Sequence, residues 1–228
     1  KIIFAAPSVK NFVGIRKKLK SSKVKDVIYW PVLKKSEGYY ISAFSRSSGL
    51  NRVFNEILSN KIPTMLDLEI PLKRGILKHL HYFFKSKRLI DNFLLNAEKN
   101  GIEIYTAEYD IPHKLAEALF SFIRLTLNPK KFKHQRIVML YTSFRKNQVI
   151  EDYLLKQLEK SKQKYGEDFL VGLGVIAPGV GENEPILSPS HLEHDLKVLN
   201  REGIKKVVIF RLGGLNKKYL EVIKKYVS

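Results

Sequence analysis

Eight short apolar segments punctuate the chain: Ile2–Ala6, Val27–Leu33, Tyr39–Phe44, Thr64–Glu69, Ile102–Glu108, Arg136–Thr142, Phe169–Ala177 and Lys206–Leu212. They are rich in β-branched and aromatic residues and mostly lack the long polar alternation of a solvated sheet. That pattern predicts strands buried on both faces. Between most of them lie helical patterns, clearest at Val53–Leu58, Leu89–Asn100, Leu115–Leu127, Val149–Lys164, Ser190–Arg201 and Lys217–Tyr226. The boundaries agree with the pattern. Gly101 and Gly203 offer cheap left-handed stops after two helices, Ser188-Pro189 reads as a cap followed by proline in the first turn, and Asn216 caps the last helix.

Repeated strand–helix alternation argues for a parallel sheet. Eight strand candidates in 228 residues predict a compact α/β fold, a single-domain (β/α)8 TIM-like barrel spanning residues 1–228. Lys34–Gly38 is too short for a full crossover helix. It is either a tight connection to a shifted third strand or a hairpin in an open mixed sheet, which is the alternative architecture. No linker, repeat or low-complexity tract marks a second domain.

Composition narrows the picture in three ways. The chain has no cysteine, so neither a disulfide framework nor a thiolate metal site exists, and a reducing, cytoplasmic location is expected. No apolar run approaches the roughly 18 to 20 residues of a transmembrane helix. Lys1–Pro7 is too short for a complete signal peptide and is expected to be a first strand preceded by a methionine, with a removed leader as the alternative. The formal charge is +19, which favours polyanions as partners. The lysines are nevertheless spread over almost every helix, as in the solvated helices common among thermophiles.

The candidate chemistry gathers at the carboxyl ends of strands, where a barrel carries its site. Thr64–Glu69 delivers two carboxylates: alternation sets Met65, Asp67 and Glu69 on one face and Leu66, Leu68 and Ile70 on the other. In the next segment Tyr105 and Ala107 suit the helix layer, which directs Thr106 and Glu108 inward. Tyr141 and Ser143 bring two hydroxyls, and Arg211 is expected to face inward while Val208, Phe210 and Leu212 pack under helices. Ser42, Ser45 and Arg46 add polar capacity. Hydrolysis of a glycosidic bond uses such a set, with one protonated carboxyl as acid and a second carboxylate as base or nucleophile. Glu69 is the acid candidate and Asp67 stabilises charge or tunes it by mutual repulsion. Glu108 is the second catalytic carboxylate, Tyr141 supports an intermediate or leaving group, and Ser42, Ser45, Arg46, Ser143 and Arg211 contact an oligosaccharide substrate.

Asp67-Leu68-Glu69 resembles the final D-x-E of the barrel-fold chitinase-like glycoside hydrolases. Ser42-Ala43-Phe44-Ser45 is similar to that family's third-strand serine motif, and Met139-Leu140-Tyr141 to its sixth-strand M-x-Y element. The resemblance implies Glu69 as proton donor, Asp67 as its supporting carboxylate and Tyr141 as a contact to the reacting sugar. Other motifs carry less. The glycines from Gly172 to Gly181 match no nucleotide fingerprint and suit close strand packing followed by a loop, whose Glu182 and Glu184 are within reach of the strand ends. His79 and His81, and His191 and His194 beside Asp195, form no definite metal site, so no metal or cofactor is assigned. The basic, aromatic run Lys73–Arg88 suits phosphate contact with base stacking, or a surface that meets a membrane or protein. A nucleic-acid binder and a non-catalytic interaction barrel are therefore the alternatives to a glycosidase.

Overall fold

The computed structural model describes residues 1–19, 24, 26–70, 80–109, 111, 114–144, 150–178 and 184–226. Contacts divide the chain into two compact units, Lys1–Gln135 and Arg136–Ser228. In the first, strands β1 (Ile2–Ala6), β2 (Val27–Pro31), β3 (Thr64–Asp67) and β4 (Ile104–Tyr109) alternate with helices α1 (Val9–Leu19), α2 (Ser47–Asn60), α3 (Phe83–Lys99) and α4 (Lys114–Phe122). All three strand pairings are parallel, in chain order. The second unit runs β5 (Gln135–Met139), α5 (Ile150–Tyr165), β6 (Phe169–Leu173), α6 (Pro189–Arg201), β7 (Val207–Ile209) and α7 (Lys217–Lys224), and its pairings are parallel too.

The strands therefore number seven among the described residues, one fewer than expected. The missing one is Tyr39–Phe44. A single 3-10 turn at Lys35–Glu37 ends on Gly38 at φ 116°, and Tyr39 follows at φ 65°. Two consecutive positive-φ residues reverse the chain before a strand can start. The turn closes on Glu37, whose carboxylate accepts from the Lys34 N–H and whose carbonyl accepts from the Arg46 N–H. The apolar side chains that suggested a strand (Tyr40, Ile41, Ala43 and Phe44) are buried all the same. Burial, not pairing, accounts for their chemistry.

Helix α1 is not among the clearest helical patterns of the sequence. Its fully committed apolar residues are Val9 and Phe12, set among lysines and an arginine that mask the period. The Ser8 hydroxyl accepts from the Asn11 N–H and Glu56 on α2 accepts from the Val9 N–H, so two of the orphan donors at its start are satisfied. Phe12 lies against Tyr29 with ring centroids 5.1 Å apart.

Register fixes which side chains meet the helices. Ala6, Val27, Tyr29, Leu66, Leu68 and Ile104 belong to one core with α1, α2 and α3, and neighbours in a parallel pair share a face. Thr64 pairs with Ile104, Met65 with Tyr105, Leu66 with Thr106 and Asp67 with Ala107. Thr106 and Glu108, in phase with Ile104, thus lie on the helix side, while Tyr105 and Ala107 lie with Met65 and Asp67 on the other. This reverses the expected facing of β4. Strand β7 is reversed in the same way. Val207 and Ile209 pack with Val138, Leu140, Val171 and Leu173 against the helices of the second unit, whereas Phe210 reaches Gly172 and the Tyr141 ring. Strand β4 is buried on both sides and β7 is apolar on both, so parity had to come from pairing.

Candidate functional site

Asp67 is the last residue of β3 and is buried, on the face turned away from the helices of its unit. Its carbonyl accepts from the Ile41 N–H, and the next residue, Leu68, donates to Ala107, so the chain stays extended past the strand end. Glu69 follows, half-buried, about 6 to 7 Å further along by backbone rise. The expected phase of Met65 and Asp67 against Leu66 and Leu68 is the observed one.

The loop carrying Ser42, Ser45 and Arg46 docks onto this strand end through Ile41. The two serines are fully buried and their hydroxyls are 3.2 Å apart. Ser45 Oγ donates to the Tyr40 carbonyl and accepts from the Ser42 N–H, while Ser42 Oγ accepts from the Phe44 N–H. Ser86 on α3 donates to the Ser45 carbonyl and shares a contact with Ser47. These hydroxyls hold the turn that replaces the expected strand. Arg46, by contrast, is exposed, and its Nε donates to the Tyr82 hydroxyl at 3.2 Å.

Glu108 is not brought to Asp67 and Glu69. Its buried carboxylate accepts from Thr106 Oγ1 at 2.6 Å, from Thr126 Oγ1 at 2.7 Å and from the Leu127 N–H at 3.2 Å. His134 Nε2 stands 3.3 Å from the same group, close in distance but off hydrogen-bond alignment, and its Nδ1 lies 2.8 Å from the Phe132 carbonyl. A carbonyl only accepts, so Nδ1 carries a proton. Asp110 lies outside the described residues.

In the second unit Tyr141, Ser143 and Arg211 all follow strand ends. The Tyr141 ring covers Gly174, where a Cβ would fall 2.9 Å from its Cγ. It meets Phe210 edge-on at 5.8 Å and runs nearly parallel to Phe144, 16° and 6.3 Å away. Phe144 is 57% exposed, so three rings step from the core to solvent. Ser143 Oγ is buried without a hydrogen-bond partner. Arg211 lies 3.4 Å from Glu184, an arginine–carboxylate pair. His79 and Glu182 lie outside the described residues.

Two further carboxylates were missed as network members. Asp91 on α3 accepts from Arg124 at 2.6 and 2.7 Å and from Lys131 at 3.4 Å. Burial opposes its ionisation, but those cations outweigh it and hold its pKa below the usual carboxylate value. Asp195 on α6 is fully buried. Thr142 Oγ1 donates to it at 2.5 Å, and His194 lies 3.5 Å away, next to a Glu151–Arg201 ion pair of 2.6 Å. The helical spacing of His191, His194 and Asp195 was legible, but the buried aim of Asp195 was not. Among the described residues no cluster of histidine and carboxylate groups could hold a metal ion, and no helix is long and apolar enough to cross a membrane.

Burial raises the Asp195 pKa above 3.8, with Thr142 and His194 only partly offsetting it. A carboxyl with a raised folded-state pKa costs stability once ionised. That cost is absent below the unfolded value and grows as pH climbs through the folded one. Asp195→Asn keeps an acceptor for Thr142 and removes the titration. Denaturant melts across the acidic range are expected to show the stability difference between the two moving in the variant's favour as pH rises above about 4. Equal slopes would show that Asp195 makes no such contribution.

No family model matches the sequence, and no curated protein matches it. Solved structures do match in fold. The glycoside hydrolase domain of PgaB (BpsB) from Bordetella bronchiseptica aligns with a TM-score of 0.56 at 9% identity, covering 89% of this chain and 75% of that one. ZgEngAGH5_4 in complex with a cellotriose gives 0.54 at 12%, over 96% and 76%. A D-tagatose 3-epimerase-like protein gives 0.52 at 12%, over 98% and 86%. The chain thus has a fold like those of a glycoside hydrolase domain and of other sugar-enzyme-like proteins.

Proposed function

We propose that this chain is a glycoside-hydrolase-like protein that acts on a carbohydrate, with Glu69 as proton donor and Asp67 as the carboxylate that supports it. The carrying observation is the phase of β3: Leu66 and Leu68 anchor the strand to its helices, while Asp67 ends the opposite face and Glu69 follows at the strand's carboxyl end. A carboxylate that serves only packing has no need of that position. The fold likeness to a hydrolase domain and to a cellotriose-bound protein supports the same substrate class. So does the Phe210–Tyr141–Phe144 step, because the positive C–H face of a pyranose suits the negative face of an aromatic ring.

Glu108 leaves the catalytic set in this reading, since its facing and its donors tie it to the helix side. Ser42 and Ser45 become supports of the loop on β3, and Arg46 stays as a sugar contact. The test is incubation with a panel of short neutral and acidic oligosaccharides, followed by product analysis, together with a crystal soaked in the same panel. New reducing ends and sugar density beside Glu69 are expected. An intact panel and density-free crystals at millimolar sugar would defeat the reading.

A further inference from the structure

We propose that the surface where α3 and α4 adjoin is a docking face for an anionic lipid membrane. Four large apolar side chains stand out of this surface: Leu80 at 48% exposure, Phe84 at 76%, Leu119 at 57% and Phe122 at 50%. Leu119 stands one turn before Phe122 on α4, and Leu80 lies in the turn that precedes α3. Phe83, buried beneath them, meets Phe84 edge-on at 5.2 Å and Phe122 at 5.4 Å, and so ties the two helices into one patch. Contiguous exposed apolar surface of this kind marks an interaction site, whereas single exposed leucines mark nothing.

The charge around the patch selects the occupant. The first two turns of α3 carry Lys85, Lys87 and Arg88 and no acid before Asp91. That acid is already engaged by Arg124 and Lys131. Lys87 lays its ammonium 3.7 Å from the centre of the Phe122 ring and 5.8 Å from that of Phe83. Burial, and next the Arg124 guanidinium, depress its pKa below the usual lysine value, as expected where cations crowd. Lys85 and Arg88 are exposed. Glu117 on α4 is half-buried. Exposed phenylalanine and leucine flanked by lysine and arginine match a lipid interface: the apolar groups enter the headgroup–acyl boundary and the cations meet phosphates. A nucleic acid would use the phenylalanines for stacking but gives Leu80 and Leu119 nothing to do, since stacking needs a π-face.

The experiment is co-sedimentation of the intact protein with vesicles of phosphatidylcholine alone, and of phosphatidylcholine mixed with phosphatidylglycerol. Binding is expected with the anionic vesicles, little with the neutral ones, and less as salt rises. Phe84→Ser, at a side chain three-quarters exposed, is expected to weaken it at least about fivefold. Lys85→Glu with Arg88→Glu is expected to weaken it at least about tenfold. Lys217→Glu with Lys218→Glu, on α7 of the other unit, is the control for general charge and is expected to change it less than about twofold. Near-ultraviolet circular dichroism checks that each variant is folded. No binding to anionic vesicles, or equal loss in the α7 control, would overturn the proposal. So would Phe84→Ser abolishing capture of a short oligonucleotide or an acidic peptide while vesicle binding persists.

Discussion

Glu108→Ala is expected to destabilise the first unit by about 2–3 kcal/mol, the upper part of the range for leaving buried hydrogen-bonding groups unpaired. The size follows from what is left behind. Thr106, Thr126 and the Leu127 N–H all donate to this carboxylate, and His134 stands beside it, buried. Alanine strands the buried Leu127 N–H and leaves the His134 imidazole facing the space that the carboxylate filled. Thr126 and Leu127 lie beyond α4 and His134 just before β5, so the carboxylate ties the end of β4 to the chain that follows it. Thr126→Val, which removes one neutral donor, is expected to cost only about 1 kcal/mol. Glu108→Gln keeps the volume and one acceptor and falls between them. Urea unfolding with matched m-values measures all three. A Glu108→Ala loss under about 1 kcal/mol would show that the network is solvated and that the carboxylate is not a structural tie.

How much of this was legible depended on whether a strand has one polar side. In β3 the carboxylates themselves break the symmetry, and the phase of Asp67 against Leu66 and Leu68 was read directly. In β4 the residues Ile104, Tyr105, Thr106 and Ala107 are all buried, so composition gave two equally good facings and only the pairing of Met65 with Tyr105 decides between them. The same ambiguity reversed β7. At Tyr39–Phe44 the apolar run was real but the backbone signal lay upstream, in Glu37 and the positive-φ pair Gly38 and Tyr39. Helix α1 was hidden for a different reason: Lys10, Arg16, Lys17 and Lys18 interrupt an apolar face of Val9, Phe12, Val13 and Leu19. The helices α5, α6 and α7, with longer periods or explicit caps at Ser188 and Asn216, were legible nearly to the residue. Of the candidate site, residue types and strand ends were readable. Side-chain partners such as Glu184 for Arg211 were not, because they join segments far apart in sequence.

Glu69→Gln is expected to lower kcat/KM on an oligosaccharide by about 10²–10⁴-fold, the usual worth of a positioned general acid. The amide matches the carboxyl in shape and still holds a sugar hydroxyl, so binding of the intact oligosaccharide is expected to survive. What is lost is the proton for the departing glycosidic oxygen. The discriminating substrate is therefore an aryl glycoside whose phenolate leaves without protonation. If Glu69 is the acid, Glu69→Gln keeps near-wild-type bond cleavage on that substrate while failing on the natural linkage. Asp67→Asn follows a different logic. In the proposed reaction Asp67, about two residue rises from Glu69, would act through charge, opposing ionisation of the acid and stabilising the oxocarbenium-like transition state. Its loss is expected to depress both substrates and to shift the basic limb of the pH–rate profile to lower pH, because the repulsion that kept Glu69 protonated is gone. Equal collapse of Glu69→Gln on the aryl glycoside would instead make Glu69 the attacking carboxylate. An unchanged pH profile in Asp67→Asn would reduce Asp67 to a buried end of the strand.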